Sequence, residues 1–456
     1  MMFSLDKYKE AFVSLPQGAK EAEVNAESHK IISVAVTGGS VADIQVSEST
    51  ELFIRVSGEK TGYAYTQNAA EDAAALLKMA YENGAISDKA EPDHMSQEPL
   101  RRVVCEEAIP EDPEVIKGMA LALEAAAKNK LGAWAGKCNV FLTLKAETYG
   151  QHTVNSHGLD VSSSAPCYIA GLHCAAAEAY ISSEIVTSAP AGFDPEGEQI
   201  AALVADVVRR LDYQTVKAEG FVSGEQEVIL SEAAVSQLFM TAWQEFSAAK
   251  YADGACCLKG MMSEKISSEL LTITDETSPA EGGYPAFADA EGCPGRRITV
   301  VEKGILKDLL SNQTSAAALG LVPSGNAGRR PLMFGNIATD ILVTPKNFCI
   351  EPGDSTLEEM EEHMGDGILI TEYFDLFHSL DISSGNFSVP CYGVLIRDGK
   401  ETGTVFGLNL SGNFRQLLAQ VKEVGMDRQI HPMDFLNNYG IGSCPLAVGR
   451  LTVSGE

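Results

Sequence analysis

The residues best suited to chemistry in this chain are eight histidines, ten cysteines and one glycine-rich segment that ends in two arginines. Imidazole can act as a general base or metal ligand, and thiolate as a nucleophile or metal ligand, but each needs partners at set spacings. Those spacings are missing. The chain has no C-x-x-C pair, no H-E-x-x-H zinc helix, no G-x-x-x-x-G-K-[ST] phosphate loop and no G-x-S-x-G nucleophile elbow. The closest histidines, His152 and His157, straddle a turn at Asn155–Gly158, where exposed polar residues are expected. His378, within TEYFDLFHSLDISSGNFS, is the better functional histidine, set against the alternative of a hydrogen-bonded structural one. The segment VPSGNAGRR (Val322–Arg330) could turn backbone N–H groups and the guanidinium groups of Arg329 and Arg330 toward a carboxylate. A peptide C-terminus or an acidic side chain would suit it. The alternative is a turn whose arginines pair with surface acids.

The elements that must position these residues are read from periodicity and punctuation. Lys30–Val36 and Glu51–Val56 predict strands joined through Gly38-Gly39, and Glu71–Tyr81 predicts a helix capped by Asn68 and stopped at Gly84. Asp112 as cap and Pro113 at the first position predict a helix to Lys130. Strands are expected over Asn139–Tyr149, Cys167–Ala176 and Glu178–Thr187, then a helix opened by Asp194 and Pro195 whose apolar positions run from Ile200 to Leu211. From Gly220 onward come the strand Gln226–Leu230, a helix Glu232–Ala249 and many short strands, with a capping box at Ser355–Glu358 and a cap at Asn413. Serine just before an apolar-periodic helix makes Ser231 an N-cap. The pattern predicts an α+β fold: β/α units with large sheets, then a β-rich C-terminal domain. The segments are 1–98, 99–219 and 220–456.

At 45% hydrophobic and 21% charged, the composition is that of a globular protein. The formal net charge of −29 argues against binding to nucleic acid or anionic lipid. With no signal-peptide pattern and no apolar run of membrane length, a cytoplasmic location with reduced thiols is expected.

Several stretches in order resemble the TldD/PmbA family, also called the modulator of DNA gyrase family. They are VNSHGLDV (Val154–Val161), FADAEGCPGRRITVVEKGILKDLL (Phe287–Leu310), PSGNAGR (Pro323–Arg329), TPKNFCIEPGDST (Thr344–Thr356), the run Gly367–Lys400, LSGNF (Leu410–Phe414) and the terminal LTVSGE. Within that family, TldD-type members are metallopeptidases with H-E-x-x-x-H, and PmbA-type members (also called TldE) lack it. The equivalent stretch here, EVILSEAAVSQLF, carries Ser231, Glu232 and Ser236. The glutamate survives, and both metal-binding histidines are serines, which are poor zinc ligands. Cys444 lies near the end but outside the M-C-G context of the family's cysteine ligand.

The resemblance therefore implies a PmbA/TldE-like non-catalytic subunit. It would hold no metal itself and would work with a zinc-bearing TldD-like metallopeptidase on unfolded or precursor peptides, with a homodimer as the other assembly. Catalytic residues are not assigned. Arg329, Arg330 and His378 are the candidates for substrate contact. Two other readings stay open: a free-standing hydrolase built around Glu232, Asp381 and His378, and a regulatory protein acting on DNA gyrase.

Overall fold

The computed structural model describes residues 4–87, 92–176, 179–277, 282–285, 288–329, 341–433 and 438–455. The first sheet is built from β1 (Glu21–Thr37), β2 (Ser40–Ser57), β3 (Thr61–Thr66), β4 (Arg101–Glu106), β5 (Asn139–Asn155), β6 (Asp160–Ala175) and β7 (Tyr180–Thr187). Their order is β3-β2-β1-β5-β6-β4, with β7 also on β6, so strands from residues 21–66 and 101–187 share one sheet. Gly38 and Gly39 take φ of +62° and +75° in the β1–β2 turn, a conformation that costs glycine nothing.

Helices cover this sheet in two places. Pro113–Lys130 and Glu198–Tyr213 lay Ile116, Leu123, Leu203 and Val207 onto Val34, Leu142, Leu144 and Leu172. The helix Ala73–Asn83 packs Leu76 and Leu77 against Val24, Leu52 and Ile54. It comes so close to β3 that a Cβ on Gly62 would lie 2.0 Å from the Ala80 carbonyl oxygen.

Among the described residues, two six-stranded sheets and a two-stranded ribbon follow. Their strands are β8 (Gly224–Leu230), β9 (Ile273–Asp275), β10 (Ile298–Glu302), β11 (Ile305–Leu306), β12 (Ala327–Gly328), β13 (Leu342–Val343) and β14 (Asn347–Ile350). They continue with β15 (Gly367–Tyr373), β16 (Asn386–Arg397), β17 (Lys400–Asn413), β18 (Glu423–Val424), β19 (Gln429–Pro432), β20 (Gly440–Ser443) and β21 (Leu446–Ser454). One sheet runs β17-β16-β15-β8-β21-β18, and a β17–β21 pairing closes it on itself, which removes a free edge. The other runs β11-β10-β9-β14-β20-β19, and β12–β13 is a separate ribbon. The helix Glu232–Ala242 inserts Val235, Leu238 and Phe239 into the largest core, where Phe239 meets Phe414 edge-on at 5.8 Å. The fold is α+β, as expected.

Several predicted element ends move. Asp72, not Asn68, caps the first of these helices, accepting from the Ala75 N–H at 2.7 Å, because it lies next to the apolar stripe. Asp194 accepts from the Glu196 N–H in a turn, and the helix starts at Glu198. In STLEE both serine and threonine have an acid three residues on. Thr356 and Glu359 form the capping box, while Ser355 donates to Glu423 at 3.1 Å. The helix from Glu232 breaks at Ser247 and resumes over Ala248–Asp253. Asn413 caps as expected, but its helix ends at Ala419 and Val424 is in a strand. None of the ten cysteines is in a disulfide. Among the described residues no helix is long and apolar enough to cross a membrane.

A buried ion cluster ties the first sheet to the C-terminal segments. Arg55 on β2 donates from Nε to Glu23 on β1 at 2.9 Å and from Nη2 to Glu291 at 2.8 Å. All three side chains are fully buried. Burial alone would lower the Arg55 pKa, but Glu23, Glu291 and Asp93 raise it, so the guanidinium stays charged. Replacing Arg55 with Ala strips Glu23 and Glu291 of the cation they both bond, and urea unfolding should show a loss of about 3–5 kcal/mol. A loss below about 1 kcal/mol would mean that the cluster contributes little to stability.

Candidate functional site

Ser231 ends β8 and opens the next helix with φ −63° and ψ 164°, an extended cap geometry. Its Oγ accepts from the Ala234 N–H at 3.2 Å and donates to the Thr371 carbonyl at 3.4 Å. The serine is thus an N-cap whose hydroxyl also pins the helix start to β15. Ser236 is buried one turn further on. Glu232, in the first turn, is favoured there by the helix dipole.

The Glu232 carboxylate has two partners that no local pattern announced. Ser443 on β20 donates to its Oε1 at 2.8 Å, and Nε2 of His431 on β19 contacts the same oxygen. β19 and β20 pair antiparallel, which places both donors beside the helix start. Burial lowers the His431 pKa, but the charge and hydrogen bond of Glu232 outweigh it, with Asp206 adding and Arg210 opposing; the net direction is up. His431 stands 199 residues from Glu232 in sequence, so no spacing rule could pair them.

Glu232 faces a cleft of about 960 Å3 that is also lined by Asp194, Asp206, Arg209, Asp427 and Arg428. The cleft lies between the helix Glu198–Tyr213 and β19. Its rim is held partly by Arg210, which bridges Asp206 at 3.3 Å and Glu372 at 3.5 Å.

A zinc ion of the family's kind does not fit these residues. A catalytic zinc takes three protein ligands, usually imidazole, carboxylate or thiolate. Here one carboxylate and one imidazole bind each other, and among the described residues no third His, Cys, Asp or Glu brings a donor atom within 4.8 Å of both. Among the described residues, the three-residue group of His, Cys, Asp or Glu with donor atoms within 4.8 Å of one another is elsewhere: Glu27, His29 and Glu51.

The other candidates fall in separate places. His378 is exposed, and its Nδ1 contacts Asp375 within the same turn. Asp381 accepts from the Ser383 N–H at 2.9 Å and from Ser384 Oγ at 2.8 Å in its own turn. Glu232, Asp381 and His378 therefore each have their own partners and form no common constellation. Arg329 is no surface arginine. Its guanidinium lies buried 5.1 Å from the Phe53 ring centroid, with Nη2 3.5 Å from Glu23 Oε1. Arg330 lies outside the described residues.

Two outcomes follow from this geometry. Ser231→Ala should cost about 1 kcal/mol in chemical denaturation, the worth of a lost cap. The His431 pKa is raised in the fold, so its stabilisation is complete below its ordinary value of 6.5 and fades as pH rises through the raised value. Unfolding curves of the wild type and His431→Gln should differ most at acidic pH and converge on the alkaline side. A gap that widens with pH would mean that the neutral imidazole is the stabilising form.

The comparisons with known proteins agree with the architecture. Residues 223–455 match the model of the PmbA/TldA metallopeptidase C-terminal domain, and residues 22–84 match that of domain 1. A metalloprotease of Methanothermobacter thermautotrophicus is 32% identical over 193 residues, 42% of this chain and 38% of that protein. One from Archaeoglobus fulgidus is 30% identical over 216 residues, 46% and 47% of the two chains. The chain thus spans less than half the length of these curated relatives. Solved structures match along almost all of both chains. TldE from Thermococcus kodakarensis has a TM-score of 0.76 at 20% identity, covering 98% of each chain. A Thermotoga maritima structure described as a candidate modulator of a DNA gyrase has a TM-score of 0.77 at 22% identity, covering 99% of this chain and 100% of that one. At these identities the likeness is one of fold, and the domain models carry the kinship: the chain belongs to the PmbA/TldD metallopeptidase family.

Proposed function

We propose that this chain is the non-catalytic, PmbA/TldE-like subunit of a two-component peptidase that degrades or matures small unfolded peptides in the cytoplasm. Its zinc-bearing, TldD-like partner carries out the cleavage. One observation carries this reading: Glu232, the surviving acid of the family motif, is occupied by His431 and Ser443, with serines at both histidine positions. A carboxylate held in this way has no metal-polarised water to act on. What this chain contributes is a wall. The cleft beside Glu232 offers acids and arginines to an extended peptide, and the helix cap at Ser231 keeps that wall rigid. The net charge of −29 favours protein partners over nucleic acid.

Mixing the purified chain with a TldD-like subunit and an unfolded peptide tests the proposal. The chain alone should cleave nothing and should sediment as a two-fold dimer, and the mixture should form a heteromer that cleaves. Ser231→Ala in that heteromer should keep its activity. Chelator-sensitive cleavage by this chain alone would overturn the proposal, as would loss of activity in an intact Ser231→Ala complex.

A further inference from the structure

A second, smaller cavity lies between the first sheet and the segments around residues 288–290, 326–329 and 344–346. At about 100 Å3 it holds roughly three waters. Two acids on its wall, Glu147 and Asp289, already have their donors. Glu147 receives His29 Nδ1 at 2.5 Å and Lys145 Nζ at 3.2 Å, and these hold its carboxyl down at about 2 against the effect of burial. Asp289 accepts the N–H groups of Glu291, Cys293 and Ala327 at 2.8–3.0 Å. Arg329 faces Glu23.

Two wall groups of opposite charge are not satisfied in this way. The Lys346 ammonium is buried and donates no hydrogen bond among the described residues. Its backbone N–H goes to Asp275 at 2.9 Å, which leaves the side chain to the cavity. Burial lowers its pKa against the pull of Asp289 and Asp275, a cost that a bound carboxylate would reverse. Glu27 is the counterpart. Its side chain is 8% exposed, and its ion-pair partner among the described residues, His29 Nε2, lies at 3.9 Å, too far for a hydrogen bond. Glu51 lies directly opposite on β2, so two carboxylates face each other across the strands, an arrangement that calls for a cation.

A buried donor without a partner costs free energy, and a buried carboxylate held only by a 3.9 Å ion pair gains from a closer cation, so one ligand carrying both charges would serve both. A peptide separates its charged ends along its length, whereas a space this small suits a molecule that carries both within a few atoms. We infer that this cavity binds a small zwitterionic amino acid, its carboxylate on Lys346 and its ammonium on Glu27. The site rests on the cavity alone and does not depend on the subunit role proposed above.

Titration calorimetry on the purified full-length chain tests it, with glycine, alanine and β-alanine as ligands. Acetate and methylamine serve as half-ligands, and zinc and manganese chloride as competing cations. At least one amino acid should bind with a dissociation constant of about 1 mM or tighter, and each half-ligand at least about tenfold more weakly. Lys346→Met and Glu27→Gln should each weaken amino-acid binding about tenfold or more. No binding of any amino acid at about 10 mM would overturn the inference. So would acetate binding as tightly as glycine, which would make this a carboxylate site only. Metal binding that is lost in Glu27→Gln, with no amino-acid binding, would make it a cation site instead. Should either variant fail to fold, the ligand series on the unmodified chain decides.

Discussion

Arg55, buried between Glu23 and Glu291, joins the first sheet to the C-terminal segments. The arginine and its second acid are 236 residues apart, so this contact fixes how the C-terminal segments sit on the first sheet. Glu291 also accepts the Gln313 N–H at 2.7 Å, and Arg329 Nη2 lies 3.5 Å from the same Glu23 oxygen that Arg55 bonds. Burying such charges is expensive, and their mutual attraction offsets the cost only while every partner is in place. That requirement makes the cluster a register device. A sheet displaced on its partner segments would strand a charge, whereas a greasy contact could slide.

At the other cleft, the strand–serine–helix geometry that would present a metal-binding motif is kept while the chemistry has been exchanged. β8 ends at Ser231, the helix begins, and Glu232 points where two strands of another sheet converge. His431 Nε2 contacts the carboxylate, and Ser443 donates to the same oxygen. A buried acid needs a cation or a set of donors, and here the chain supplies both from its own side chains. The motif glutamate is thereby explained as a structural partner, which is consistent with serines being tolerated on either side of it.

Local chemistry was legible from the residues and long-range chemistry was not. Asp112 and Pro113 predicted the start of the helix Pro113–Lys130, and the apolar spacing from Ile200 to Leu211 marked the buried face of the next. The strand pair β1–β2 came out much longer than its apolar runs suggested. The first half of β1 buries Glu23, Asn25, Glu27 and His29, polar residues that an alternation rule assigns to solvent. They are inside because Arg55, Thr153 and Glu147 come from other strands or segments to meet them. His431 was missed for the same reason: its role depends wholly on a residue that only the fold brings near. Arg329 follows the short strand β12 and does not sit in a surface turn, and its burial over Phe53 could not be read from the glycines around it.

The central claim is that the motif position of this chain holds a carboxylate–imidazole pair and not a metal. Diffraction from the assembled two-subunit complex, recorded on both sides of the zinc absorption edge, would test it most directly. The account predicts an anomalous peak in the TldD-like subunit and none near Glu232, with His431 still bonded to the carboxylate. A zinc peak between Glu232 and His431 would contradict it.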